Sequence, residues 1–70
     1  MYLRFRRGEH TVGPVNIPPL ADCLRAEGIA AAYSQAEMEL LARGITEGAI
    51  LCERKFYRGG DVVWRPAVFA

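Results

Sequence analysis

The sequence predicts an α+β domain in which an antiparallel sheet, built from both ends of the chain, carries two short helices on one face. Three observations predict this class. Residues 2–7 alternate like a strand, residues 58–61 form a glycine-tipped hairpin turn, and the two segments 24–29 and 40–45 between them end alike. The predicted element order is β(β)ααββ, where the bracketed strand has a loop as its alternative.

The size and composition of the chain limit its class. Seventy residues with 51% hydrophobic content form one small domain, residues 1–70. No apolar run approaches the roughly 18 residues of a membrane helix, so no membrane partner is expected. No apolar stretch follows the arginines near the N-terminus, so a secretory signal is not predicted and the cytoplasm is the expected location.

The first strand and its return form the first predicted hairpin. Residues 2–7 alternate apolar and polar side chains, which is typical of a half-buried strand. Residues 8–9, with glycine first, fit a type II′ turn. A strand over residues 10–15 would place Val12 opposite Phe5, and its proline would confine it to a sheet edge. The alternative is a loop through this segment.

Two glycines are interpreted as helix stops. A first helix is expected from Pro19 to about residue 27, ending at Gly28. A capping box at residues 34–37 predicts the start of a second helix, which ends at Gly44. Each glycine is followed by an isoleucine that can fold back onto the leucine four residues before the glycine. Residues 29–33 are the predicted linker.

The last two strands, residues 49–57 and 62–69, are predicted to form a second hairpin. A two-residue loop would place Arg54 opposite Arg65, which is a repulsive pair. A loop of odd length is the preferred register because it collects an apolar face, although it pairs Lys55 with Arg65 and places Arg54 on that face. That face would comprise Cys52, Phe56, Val62, Trp64 and Val68, with Pro66 marking the last strand as an edge.

Charge is unevenly distributed along the chain. Residues 1–10 carry +2, residues 11–50 carry −3 and residues 51–70 carry +2, which sums to the net charge of +1. The acidic middle segment is a candidate surface for a protein partner with a basic patch. Its predicted binding residues are Asp22, Glu27, Glu37, Glu39 and Glu47.

No residue pattern predicts catalysis, a metal site or a cofactor. His10 is the only histidine and lies in a predicted turn or edge strand. Cys23 and Cys52 fit no metal-ligand spacing and are expected to be buried thiols. The glycine pair at 59–60 lacks the lysine of a phosphate-binding loop. The chain is therefore predicted not to be an enzyme.

The basic C-terminal hairpin supports a second hypothesis, nucleic-acid binding. Its cations alternate with aromatic residues, as in proteins that bind single strands. The predicted contacts are Arg54, Lys55, Arg58, Arg65 and Tyr57. The element order over residues 18–66 is similar to a winged helix-turn-helix, but the second helix offers glutamates where a groove-reading helix needs cations. Trp64 is interpreted as a core residue.

The sequence therefore predicts a small non-enzymatic binding protein. Protein–protein contact is the favoured mode, through the acidic residues or through edge strands that extend a partner's sheet. The chain is predicted to be an inhibitor or accessory factor of the kind that mobile genetic elements encode, or one protomer of a small homodimer. A nucleic-acid-binding regulator that uses the basic hairpin is the alternative.

Overall fold

Four antiparallel strands and one helix are formed by residues 1–17 and 22–67, which are the residues that a computed structural model of the chain describes. The side chains of residues 22–25 lie outside this description. The elements are β1 (Tyr2–Arg7), β2 (His10–Asn16), α1 (Asp22–Ala42), β3 (Leu51–Arg58) and β4 (Asp61–Pro66). The strand order is β2-β1-β3-β4, so β2 and β4 are the edges.

The N-terminal hairpin confirms the sequence prediction. Strand β2 returns along β1 with Val12 opposite Phe5, so the loop alternative is wrong. Gly8 has a φ of +62°, as a glycine-first turn requires. The register shifts between Leu3 and Phe5 where β2 passes through Gly13 and Pro14, and β2 lies at a sheet edge as its proline predicts.

The two-helix prediction is wrong, because α1 runs without interruption from Asp22 to Ala42. Gly28 lies inside the helix and does not stop it, and Ser34, the predicted N-cap, is an interior helical residue. The predicted linker, residues 29–33, is helical as well. The predicted helix start near Pro19 lies outside the described residues.

Packing against the sheet explains why the helix continues through Gly28. Ala32, Ala36 and Leu40 recur on one side of α1 and are buried in the core. A Cβ at Gly28 would lie 3.6 Å from Ile17 Cγ2, an ordinary van der Waals distance, so the packing does not require a glycine at this position. A helical glycine costs only about 1 kcal/mol, which the burial of one continuous stripe outweighs.

The end of the helix confirms the glycine stop at Gly44. Its φ is +80°, and its N–H donates to Leu41 C=O at 3.0 Å. The N–H of Ile45 donates to Leu40 C=O at 2.9 Å. These two bonds form a Schellman motif, and half-buried Ile45 packs against the core that contains Leu40.

The preferred odd register of the C-terminal hairpin is wrong. A two-residue turn joins β3 and β4, and Arg54 lies opposite Arg65. Gly59 and Gly60 have φ values of +58° and +87°, the paired positive values of a type I′ turn. The turn geometry decides the register, since both arginines are exposed to water and the Arg54 guanidinium lies 5.2 Å from the Phe56 ring.

This register divides the side chains of the sheet between two faces. The helix-side face carries the core residues of β1 and β2, namely Leu3, Phe5 and Val12. Phe5 also meets Tyr33 of α1 edge-on, with ring centroids 5.8 Å apart. The predicted apolar face is wrong, because Trp64 lies opposite Lys55 and therefore on the face away from Cys52 and Phe56.

The single helix also removes the likeness to a winged helix-turn-helix. That motif requires two helices in succession, and the described residues contain one. Helix α1 contacts β1 and β2, so the helix-side face of the β3–β4 hairpin is less covered. Phe56 is accordingly 41% exposed and is not a core residue.

Candidate functional site

The candidate site is the face of the sheet that points away from the helix, which we call the outer face. No described helix or strand packs on it. Strand alternation and the observed pairings assign its residues. They are Tyr2, Arg4 and Arg6 on β1; Thr11 and Asn16 on β2; Leu51, Glu53, Lys55 and Tyr57 on β3; and Val62, Trp64 and Pro66 on β4.

A buried carboxylate lies at the centre of the outer face. Glu53 is 4% exposed although no element covers it, because two arginine side chains lie across it. Oε1 of Glu53 lies 3.1 Å from Nε of Arg4 and 3.2 Å from Nε of Arg6. The two arginines are therefore held in place, and only one of their two charges is neutralised.

Cations and aromatic rings alternate around this carboxylate. The Arg4 guanidinium lies 4.6 Å from the centroid of the Trp64 ring. The Lys55 ammonium lies between two tyrosines, 5.3 Å from the Tyr2 ring and 5.1 Å from the Tyr57 ring. All three distances fall within the range of cation–π attraction, so the cations and rings order one another.

The outer face is positively charged and its tyrosine rings are accessible. Arg4, Arg6 and Lys55 supply three positive charges against the one negative charge of Glu53, a net of +2 among the outer-face residues. Tyr57 is 69% exposed and Tyr2 is 47% exposed. Trp64 is half-buried under Arg4. The face therefore offers two free rings beside three fixed cations.

The sequence prediction for nucleic-acid binding named residues that lie on both faces of the hairpin. Lys55 and Tyr57 are on the outer face, whereas Arg54, Arg58 and Arg65 point to the helix side. Arg58 and Arg65 border a shallow cavity of about 330 Å³ together with Phe56, Tyr57 and Val63.

The acidic residues predicted to bind a protein are spread apart. Glu27 and Glu37 lie ten residues apart on α1, about 15 Å along its axis. Glu39 points to the side opposite Glu37, and its carboxylate bonds to Arg43 at 3.0 Å. Glu47 lies in the loop after the helix. The side chain of Asp22 lies outside the described residues.

The other candidate groups do not belong to the outer face. His10 is exposed in β2. Burial raises the pKa of the Cys52 thiol and the neighbouring Glu53 raises it further, so the thiol is protonated and a poor nucleophile near neutral pH. Within residues 1–17 and 22–67, no three histidine, cysteine or acidic side chains gather as a metal site. No helix in these ranges is both long and apolar enough to span a bilayer.

Sequence reasoning missed four of the six aromatic and cationic residues of the outer face, namely Tyr2, Arg4, Arg6 and Trp64, and also the buried Glu53. The alternation of β1 places the first three on one polar face, which was a usable signal. Trp64 is predicted to be a core residue because so short a chain has few other large side chains, and the odd register groups it with Phe56. The glycine pair at the turn, taken as a type I′ signal, would have placed it opposite Lys55.

Comparison with known proteins gives no match, since no family model, curated protein or solved structure is significantly similar to this chain.

Proposed function

We propose that this chain is a non-enzymatic binding protein that holds single-stranded nucleic acid on the outer face of its sheet. One observation carries the proposal: Tyr2, Tyr57 and Trp64 are interleaved there with Arg4, Arg6 and Lys55 on three adjacent strands. Stacking surfaces beside fixed cations are the combination that unpaired bases and their phosphates require.

The exposed tyrosines are the proposed stacking groups. Adjacent strands are about 4.8 Å apart, so rings on neighbouring strands can receive successive bases of an extended strand. Tyr57 is the more accessible ring, and Lys55 lies beside both tyrosines. A phosphate next to a stacked base would therefore meet the Lys55 ammonium. Trp64 positions Arg4 through its ring face.

The geometry favours a single strand over a duplex. The face of a base in a duplex is already stacked, so it is closed to a protein ring. A duplex groove is read by a protruding helix or ribbon, whereas the outer face of this sheet carries neither. Helix α1 lies on the opposite side and ends in a loop, and its described acidic residues would repel phosphates.

Fluorescence anisotropy with a labelled ten-nucleotide oligothymidine tests the proposal. Tyr57→Ala should weaken binding by about 5- to 150-fold, since stacking of one base contributes roughly 1–3 kcal/mol. Three phosphate contacts predict a slope of log K against log salt of about −2, and Arg6→Ala should reduce it by about 0.7. A duplex of the same length should bind more weakly.

The helix-side arginines supply a matched control. Arg58→Ala removes the same charge as Arg6→Ala from the same sheet, but on the other face. Affinity should change little in this variant. Equal losses for Arg6→Ala and Arg58→Ala would show non-specific attraction to charge, and unchanged affinity in Tyr57→Ala would contradict the stacking role.

Protein–protein contact, which the sequence favours, remains a prediction and is the competing outcome of a capture experiment. A partner that is recovered from lysate when nuclease is omitted, but not after nuclease treatment, supports the nucleic-acid proposal. A protein partner that persists after nuclease treatment, and that is lost in Glu37→Gln with Glu39→Gln but not in Tyr57→Ala, supports the acidic surface instead.

A further inference from the structure

The free edge of β4 is complementary to itself, and we propose that two copies of the chain pair there as antiparallel strands. Within the described residues, β4 has a neighbour on one side only, which is β3. An edge strand leaves a row of backbone donors and acceptors unpaired, and a second chain can complete them. This inference is independent of the proposed function.

The backbone pattern identifies which groups of β4 face outward. The N–H of Ala67 donates to Cys52 C=O at 2.8 Å, so this is a hydrogen-bonded pair of the β3–β4 ladder. Such pairs alternate with non-hydrogen-bonded pairs along an antiparallel ladder. Val63 and Arg65 therefore bond to β3, whereas the N–H and C=O groups of Val62 and Trp64 point to the free edge.

One register uses all of these outward groups and also matches the side chains. If Val63 lies opposite Val63 of the second copy, Val62 lies opposite Trp64 of that copy. The two Val62–Trp64 pairs then exchange four backbone hydrogen bonds. On the helix-side face, Asp61 lies opposite Arg65 of the second copy. Asp61 is the acidic residue of β4 and Arg65 is its basic residue. Because of the two-fold symmetry, this ion pair forms at two places in the interface.

The neighbouring registers are less favourable. A shift of two residues toward the turn places Val62 opposite itself and Asp61 opposite Val63, which leaves the charges unmatched. A shift of two residues the other way places Val62 opposite Pro66, which has no N–H to donate. The register centred on Val63 is the only one of the three that pairs opposite charges.

The two edges of the sheet differ in how they are protected. Strand β2 contains a register irregularity and Pro14, which are devices that discourage pairing. Strand β4 pairs regularly with β3 from Asp61 to Pro66, with its proline only at the end. Val62 is 47% exposed at this edge and would pack against Trp64 of the second copy. The β4 edge is thus the one suited to a second strand.

Sedimentation equilibrium over a concentration series tests the interface, with charge variants that separate pairing from folding. The wild-type chain should dimerise reversibly. Arg65→Asp should raise the dimer dissociation constant about tenfold or more, since two opposite-charge pairs become like-charge pairs. The monomer should remain folded by circular dichroism, because the new carboxylate lies opposite Arg54 of its own hairpin.

A mixture of two variants restores the complementarity. Asp61→Arg alone should also fail to self-associate, but mixed with Arg65→Asp it should form a heterodimer with both charge pairs favourable. Arg54→Asp is the matched control, since it changes the charge of the adjacent strand away from the edge and should leave the dimer intact.

A cysteine at the symmetry axis reads the register directly. Non-hydrogen-bonded antiparallel pairs bring Cα atoms to about 4.5 Å, within the range that a disulfide spans. Val63→Cys, in a chain with Cys52→Ala and Cys23→Ser, should therefore cross-link two copies on mild oxidation, and Val62→Cys should do so much less. A wild-type chain that stays monomeric at all concentrations, or a dimer insensitive to Arg65→Asp, would overturn the proposal.

Discussion

Replacing Glu53 by glutamine should lower the stability of the domain and raise its affinity for nucleic acid. The carboxylate is 4% exposed and one of its oxygens receives both Arg4 and Arg6. Glutamine keeps the shape and one acceptor oxygen but removes the negative charge. The charge-assisted hydrogen bond from Arg4 therefore becomes a weaker bond to a neutral acceptor, and the ion pair with Arg6 is lost.

The magnitude of the stability loss follows from the exposure of the two arginines. Removing one partner of a fully buried ion pair costs about 3–5 kcal/mol. The side chains of Arg4 and Arg6 are 28% and 42% exposed, so water replaces part of the lost interaction. We expect a loss of about 1–2 kcal/mol, which for a domain of this size lowers Tm by roughly 4–16 °C.

The affinity should change in the opposite direction. A phosphate bound by either arginine would lie about 6 Å from the carboxylate, where two unit charges in water repel by about 0.7 kcal/mol. Removing that repulsion should strengthen binding about threefold at low salt, and the gain should shrink as salt increases.

Thermal unfolding by circular dichroism and oligothymidine anisotropy at low and high salt measure the two effects. Glu9→Gln is the control, because this exposed turn residue has the same charge and lies off the outer face. A Glu53→Gln protein that is folded at the assay temperature but binds more weakly than wild type would refute the electrostatic reasoning.

Three further predictions concern glycines and the thiol, all measured by thermal or urea unfolding. Gly44→Ala should destabilise by about 1 kcal/mol because of its positive φ, whereas Gly28→Ala should stabilise by about 0.5–1 kcal/mol, since it is helical with room for a methyl group. Equal changes in stability for Gly44→Ala and Gly28→Ala would contradict a single continuous helix. Gly13→Ala should cost about 1 kcal/mol or more, because its φ is +112° and a Cβ would lie 3.0 Å from Leu3 O. Burial raises the pKa of the Cys52 thiol in the folded protein above its ordinary value of 9.0. The free energy of unfolding should therefore not change with this group below pH 9.0, and it should fall as the pH rises from there through the folded pKa. This fall should be absent in Cys52→Ala.

Short-range signals predicted the hairpins and the end of the helix. Gly8 and Gly44 adopt the positive φ that their local patterns require, so turn and cap chemistry alone places them. The same signal failed at Gly28, which has no positive φ and lies inside the helix. A single sequence does not distinguish a glycine that ends a helix from one that a continuing helix tolerates, because the packing of the helix against the sheet decides between them.

The capping box at Ser34 and Glu37 failed for a related reason. Both residues are compatible with an N-terminal cap, but both also fit the interior of a helix. The alanines before them favour helix, and the buried stripe through Ala36 requires it to continue. Tertiary packing decides between the two readings of such a motif.

The outer face is not predicted from the sequence because the odd register gives the more apolar face, although the glycine pair favours a two-residue turn. Arg54 and Arg65 are exposed to water, where the repulsion between two cations is small, whereas a loop with the wrong twist would strain the whole hairpin. With the two-residue turn in place, Lys55 lies opposite Trp64 and on the same face as Tyr2. One register error thus changes the interpretation of Trp64 from core to surface.

The two proposals meet on the same strand. Trp64 lies on the outer face, and its outward backbone groups form the edge that would pair with a second copy. In the proposed register the outer faces of both copies lie on the same side of one eight-stranded sheet, since paired residues share a face. Two sets of tyrosines and cations would then form one continuous surface.

The two-fold axis makes the strands of one copy antiparallel to those of the other, so a bound nucleic-acid strand that crosses the axis would meet the same residues in reverse order. Contacts to ring faces and phosphates tolerate this reversal better than base-edge contacts do, because they do not depend on the identity of the base. Self-pairing at β4 therefore suits a binder without sequence preference.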